Sequence, residues 1–433
     1  MPKPPPDFKA VLQTLEENAH KAYLVGGCVR DLFMGRTPQD FDIASNAAPE
    51  EVIRIFPKTI ATGLKHGTVT VLLDNAQIEV TTFRKDGPYL DHRRPQQVTY
   101  VDDLTEDLLR RDFTMNAIAM DQRGEITDPT GGRADIQAQT IRAVGDPAVR
   151  FTEDALRMFR ALRFSAQLGF TIETETKTAI QTQSHLAQTL SPERIRDEIE
   201  KILCATRPEI IADVLNYGLL NTYLYRPVGA TVPVARALST LPRVLAATPR
   251  ALTVSSPAIR ATPRALSVPS RVITAGAHCA PLRGWCMFTA ILLKDNAITD
   301  PEAFLKSLRL SRQITEPAAK AASLAQTPLP DDPIALKRLM AKCGKEVITL
   351  TAEAAACLGA PDQSASIQEI LQSGECYSLD TLALQGADLL AYGIPQGVQI
   401  GETLQKLLDY AIIHPEANTK ERLLHWLTNN SNS

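Results

Sequence analysis

The sequence predicts an α+β fold: a small domain of mixed sheet and helices up to about Asp146, then an all-helical remainder. Three observations predict it. Short β-like runs bounded by turn residues are confined to the part before Asp146. Beyond it, apolar residues recur at helical spacing. Prolines 242, 249, 257, 263, 269 and 281 then interrupt the helical pattern in one place only.

Size and composition set the frame. A chain of 433 residues exceeds one ordinary core, so two to four domains are expected. With 44% hydrophobic and 22% charged residues it reads as a soluble globular protein. No apolar run approaches the ~18–20 residues that span a bilayer. Met1-Pro2-Lys3-Pro4-Pro5-Pro6 lacks the apolar stretch of a secretory signal. Seven cysteines without a Cys-x-x-Cys pair argue against a disulfide framework or a zinc site, and a reducing cytoplasm fits best.

The first element is a strand over Tyr23-Leu24-Val25, followed by the turn Gly26-Gly27 and a helix carrying Arg30. Glycines let a backbone approach phosphate closely, and Arg30 adds a cation one turn in. By itself such a turn is more often a mere turn than a phosphate site. Asp40-Phe41-Asp42 shifts the balance. On a strand, residues i and i+2 share a face, and two carboxylates held together repel until a divalent cation such as Mg²⁺ relieves them. Further strands are expected at Thr68–Leu72, Ile78–Thr81 and Asn116–Met120. Glu79 is either a third carboxylate for the site or a surface strand residue. Arg110-Arg111 precede the last of these strands, a place to meet a triphosphate or to form an ordinary pair with Asp112.

Next comes a helix over Thr152–Arg163, with Thr152 as its cap. Asp154, Arg157, Arg160 and Arg163 fall at successive i+3 steps and form one polar stripe beside Leu156, Phe159 and Leu162. Acids early and arginines late suit a helix dipole, but three regularly spaced arginines exceed that need and point to a ligand. The helical pattern is still visible at Leu404, Leu407, Leu408 and Ala411.

Net charge is −3, yet no Asp or Glu lies between Asp213 and Asp295, an interval holding eight arginines from Arg226 to Arg283. Either this is a basic, solvated insert or it offers a positive field to a polyanion such as RNA. Within it Ala247–Leu252 is repeated as Ala261–Leu266, a local duplication too short for a solenoid.

Taken in order, Leu24–Asp31 with Asp40-Phe41-Asp42, Arg110–Asn116, Glu153–Arg157 and Ser191–Arg196 resemble the motifs of class II CCA-adding enzymes. These are tRNA nucleotidyltransferases of the DNA polymerase beta superfamily, a group that includes bacterial poly(A) polymerases. The likeness is strong over about residues 20–205, and Gly386–Leu389, Gln399–Glu402 and Asn418–Trp426 are similar to the family's tail. The resemblance implies a catalytic head over 1–145, a neck over 146–230, a tRNA-binding body over 231–330 and a tRNA-binding tail over 331–433. It implies addition of CCA to tRNA from CTP and ATP, with Mg²⁺ on Asp40 and Asp42. Nucleotide contacts are implied for Gly27, Arg30, Arg111, Asp154, Arg157, Arg160 and Arg163. Thr62–Thr68 favours CCA addition over polyadenylation. Arg84–Pro95 resembles a loop that CC-only enzymes lack, which leaves A-only addition as the second reading. The basic Pro-rich segment departs from the family. No His-Asp dipeptide occurs, so a fused phosphohydrolase domain is not expected.

Overall fold

The computed structural model describes residues 6–38, 40–64, 67–73, 76–87, 98–225 and 275–430. These form two compact units, meeting in sequence between Thr222 and Tyr223. The basic Pro-rich stretch from Arg226 to Arg271, and the loop Pro88–Pro95, lie outside the described residues.

The first unit opens with α1 (Pro6–Glu17), β1 (Ala22–Val25), α2 (Gly27–Phe33), β2 (Asp42–Ser45) and α3 (Pro49–Ile55). Then come β3 (Thr59–Gly63), β4 (Thr68–Leu72), β5 (Gln77–Thr82), β6 (Arg84–Asp86) and β7 (Val98–Tyr100). The sheet closes after α4 (Leu104–Leu109) with β8 (Ala119–Met120) and β9 (Ile126–Thr127). Seven strands make one sheet in the order β3-β4-β5-β2-β1-β8-β9, while β6 and β7 pair separately as a ribbon. It is a mixed sheet: β2 and β5 run parallel, whereas β1 is antiparallel to both its neighbours. Alternation explains β5, where Ile78, Val80 and Thr82 are buried while Gln77 and Glu79 face out. Val25, Ala44, Phe83, Leu104, Leu108, Ala117, Ala119 and Val144 form a core under the strands that carry the site.

Helices then take over: α5 (Gly132–Gln137), α6 (Pro147–Glu153), α7 (Leu156–Leu168), α8 (Thr174–Gln183), α9 (Pro192–Leu203) and α10 (Ile211–Asn216). The second unit is helical from Ala275–Lys294 through Lys420–Asn430. Its apolar spacing does what the sequence suggests, with Leu407, Leu408 and Ala411 fully buried on the helix Val398–Ile413. No helix among the described residues is long and apolar enough to cross a membrane.

Four expectations need correcting. Pro281, expected to interrupt helical structure, lies inside the helix Ala275–Lys294. The single helix over Thr152–Arg163 is two helices. Thr152 sits inside α6, donating to the Ala148 carbonyl, and it is Asp146 that caps that helix by accepting from Ala148 N. The break falls at Asp154, whose extended backbone lets its carboxylate accept the Leu156 N–H at 3.1 Å, opening α7. A short acid that captures a backbone donor competes with helix continuation. The strand expected over Asn116–Met120 is shortened to Ala119–Met120, because Thr114–Asn116 forms a 3₁₀ turn. Lastly, Asp40 is not on a strand. The register ends at Val25 opposite Asp42, since Gly26 turns the neighbouring chain away and leaves Asp40 no ladder partner.

Candidate active site

Gly26 sets the floor of the site. Its φ of +78° belongs to glycine, and a Cβ there would stand 3.1 Å from an Arg111 guanidinium nitrogen and 3.9 Å from Asp42 Oδ2. The turn thus brings together a backbone gap, a cation and a carboxylate. Asp42 opens β2 directly opposite Glu79 on β5. Asp40 precedes the strand close enough to act on Asp42 electrostatically. Asp42 keeps an exposed face, yet the protein crowding around it pushes its carboxyl up; Arg111 pulls it back, and Glu79 and Asp40 push it up again. Hard carboxylate oxygens that destabilise one another's charge suit Mg²⁺, which would relieve exactly that repulsion and favours such donors alongside phosphate and water. Among the described residues no three His, Cys, Asp or Glu side chains form a metal cage by themselves.

A second group begins at Arg30, on the helix that starts at Gly27. Arg30 is buried, its Nε and one terminal nitrogen donating to Asp31 at 2.9 and 2.7 Å, the other to Asn116 Oδ1 at 2.9 Å. The Asn116 amide donates on to Asp112 at 3.2 Å, and the second oxygen of Asp112 accepts from Arg160 Nε at 2.8 Å. Burial pushes the Asp112 carboxyl up, but Arg160 and the Asn116 amide more than reverse this, holding it at about 2. Arg163 forms an ion pair with Glu198 at 2.8 Å. The guanidiniums of Arg30, Arg160 and Arg163 all lie against the ring of Phe164, at 5.3, 5.4 and 4.2 Å from its centroid.

The third group holds Asp154 and Arg157. Arg194 on α9 grips both oxygens of Asp154, at 3.2 and 2.9 Å. With Leu156 N also bound, three of the four lone-pair sites are occupied and one is left. Arg157 is buried, donating to Glu153 at 2.6 Å, to the Arg150 carbonyl at 3.1 Å and to the Arg110 carbonyl at 3.2 Å. Two of its five donors are left over.

The expected polar stripe therefore does not exist as one exposed face. Asp154 precedes α7, Arg157 turns back into the protein, and Arg160 and Arg163 serve the group around Phe164. All the residues expected at the site nevertheless lie in the first unit: Gly27, Arg30, Asp40, Asp42, Arg111, Asp154, Arg157, Arg160 and Arg163. Phe164 and Asp107 escaped the sequence reading, and Asn116, within the motif Arg110–Asn116, was given no role. Arg194 could have been found, for it lies in the motif Ser191–Arg196, but nothing local to it names Asp154 as its partner.

Comparison with known proteins places these groups in context. Residues 22–142 match the model described as Poly A polymerase head domain, and residues 283–427 match tRNA nucleotidyltransferase domain 2. Over 422 residues the chain is 37% identical to the CCA-adding enzyme of Geobacillus kaustophilus, covering 96% of this chain and 95% of that one. The CCA-adding enzyme of Levilactobacillus brevis is 36% identical over 407 residues, covering 94% and 92%. Among solved structures, the CCA-adding enzyme of Bacillus stearothermophilus in complex with CTP matches with a TM-score of 0.74 at 32% identity, covering 99% of this chain and 98% of that one. The Thermotoga maritima CCA-adding enzyme complexed with tRNA shares the fold, with a TM-score of 0.64 at 20% identity over 99% of this chain and 96% of that one.

Proposed function

This chain belongs to the family of CCA-adding enzymes, and from that membership we propose a division of labour among the three groups of its first unit. The enzyme adds C, C and A to the 3′ end of tRNA, taking CTP and ATP and releasing pyrophosphate. The single structural observation that favours one coupled site is the Arg157 bond to the Arg110 carbonyl. It ties the segment assigned to base reading to the residue next to Arg111, at the phosphate end.

In this reading Asp40 and Asp42 hold Mg²⁺, which when bound would polarise the attacking hydroxyl and steady the leaving pyrophosphate. Gly27, Arg30 and Arg111 receive the triphosphate, with Arg30 pre-oriented by Asp31 and Asn116. Arg160 and Arg163 add positive field from beside Phe164. Asp154 and Arg157 read the base. Cytosine and adenine both present an amino donor beside an unprotonated ring nitrogen. The remaining lone pair of Asp154 accepts from the amino group and a remaining donor of Arg157 reaches the ring nitrogen. Uracil and guanine set like against like. The head is assigned to 1–145, the neck to 146–230, the body to 231–330 and the tail to 331–433, with a cytoplasmic location.

The test is to offer tRNA ending in the discriminator base, in C or in CC, with CTP and ATP supplied separately. Full CCA addition gives C incorporation on the first two and A on the third. Extension of only the CC-ended tRNA would mark an A-adding enzyme, and repeated A addition on any end a poly(A) polymerase.

A further inference from the structure

Asp107 has no place in the reaction as assigned, yet it is one of the few fully buried carboxylates of the first unit, with 1% of its surface exposed. One oxygen accepts from Arg110 at 2.9 and 2.6 Å and from the backbone N–H of Arg84 at 3.3 Å. The other accepts from Arg111 at 3.1 Å. Burial pushes this carboxyl up, but Arg111 and Arg110 together pull it below its ordinary value, so it stays charged.

Arg111 stands between two acids. On one side is Asp107; on the other, across the gap at Gly26, is Asp42, on which Arg111 already acts electrostatically. Its Nε makes no hydrogen bond among the described residues, so Asp107 supplies the fixed anchor through one terminal nitrogen. A guanidinium released from that anchor would find a compensating charge at Asp42 across the Gly26 gap, since a charge in a partly desolvated cleft moves toward an available counter-ion. There it would occupy the oxygens assigned to the cation. Resting on the metal reading above, we propose that Asp107 is a positioning residue that holds Arg111 off the metal-binding carboxylates. One guanidinium nitrogen then stays turned to the phosphate gap, and Asp42 stays open to Mg²⁺. The Arg84 N–H bond means the same carboxylate also fixes β6, so Asp107 anchors the ribbon edge and the cation together.

The experiment is Mn²⁺ binding to the full chain without nucleotide, read from the electron spin resonance signal of free Mn²⁺. Asp42→Ala should abolish binding at the site; retention there would overturn the metal assignment and this proposal with it. Asp107→Asn keeps the size and one acceptor oxygen but loses the charge, and should weaken Mn²⁺ binding about tenfold, in line with one misplaced ion pair. Asp107→Asn with Arg111→Gln removes the competing cation and should restore Mn²⁺ affinity to within a factor of about three of the parent. Asp107→Glu, keeping the charge, should lie between. A merely structural role predicts that the double variant is no better than Asp107→Asn. That result, or unchanged Mn²⁺ affinity in Asp107→Asn while Asp42→Ala is dead, overturns the proposal and leaves the metal assignment standing.

Discussion

The two units bury charge in opposite ways. In the first, Arg30, Asn116, Asp112 and Arg160 form one connected chain, and Glu153, Arg157 and the Arg110 carbonyl a second. In the second unit, Arg283 pairs with Glu353 and Lys337 with Glu375, on helices packed by leucine, isoleucine and alanine. A buried ion pair by itself contributes little net stability, because desolvation offsets most of its attraction. Connected networks fix the position of every member, which a site for a triphosphate and a base requires and a packed helical scaffold does not. The difference teaches that a linked set of buried charges is a stronger mark of a site than a buried charge by itself.

The largest effect should come from the floor of the first unit. Asp42→Ala is expected to lower C and A addition alike by at least a thousandfold, about 4 kcal/mol of transition-state stabilisation, with tRNA binding nearly intact. Asp40→Ala should follow it. Single-turnover incorporation and a filter-binding isotherm on the same preparations check both halves, and near-normal turnover would remove the carboxylates from the mechanism.

The Arg283–Glu353 pair of the second unit should break differently. Arg283→Met leaves Glu353 buried without its counter-ion, a change that costs about 3–5 kcal/mol of stability. Adding Glu353→Leu should recover most of that loss, because two apolar side chains replace a pair that gave little. The measurement is simple here, since both tryptophans of the chain, Trp285 and Trp426, lie in the second unit. Their fluorescence during urea unfolding reports that unit alone. A double variant as unstable as Arg283→Met would show that this pair is tied into a wider network after all.

How much of this was legible beforehand depends on range. The Gly26 turn, the acid at Asp42 and the strand Thr68–Leu72 depend on neighbours a few residues away, and local pattern found them. Asn116 joins Arg30 across 86 residues and Arg194 joins Asp154 across 40, distances at which a single sequence carries no pairing signal. The stripe failed for a related reason. Spacing of three assumes an unbroken helix, and the Asp154 carboxylate broke it by binding the Leu156 N–H.

Base selection sharpens the comparison at a smaller scale. Asp154→Ala should lower kcat/KM for CTP and ATP about a hundredfold, near 3 kcal/mol, without raising UTP or GTP to match. Arg194→Ala should reproduce part of that loss, because Asp154 would keep its charge but lose the two-point grip that aims it. Rates for all four nucleotides on CC-ended tRNA decide it. Wild-type selectivity in both variants would move base reading to other residues.

Acid should act on the two units with opposite sign, through one group in each. Asp112 is held at about 2 in the folded chain against an ordinary 3.8, so its ionised form is stabilised by folding. That contribution, about 2 kcal/mol, is complete above pH 5, falls to about half by pH 3 and vanishes as pH drops through 2. Glu353 runs the other way. Burial pushes it up, Arg283 only partly opposes this, and Asp362 adds to the rise. A carboxyl raised by folding binds its proton more readily in the folded state, so its contribution is greatest in acid and declines as pH climbs through the unfolded value. Asp112→Asn should therefore destabilise the first unit by about 2 kcal/mol at pH 7 and by roughly half that at pH 3, while the tryptophan signal of the second unit is unchanged. Glu353→Gln should leave the first unit alone, and its difference from the parent in the tryptophan transition should shrink toward low pH, where the parent's carboxyl is also neutral. Amide hydrogen exchange along α7, measured at both pH values, reports the first unit. A destabilisation by Asp112→Asn that stays constant between pH 7 and pH 3 would mean that the Arg160 contact is held by shape and hydrogen bonding, and that the charge of Asp112 adds nothing to it.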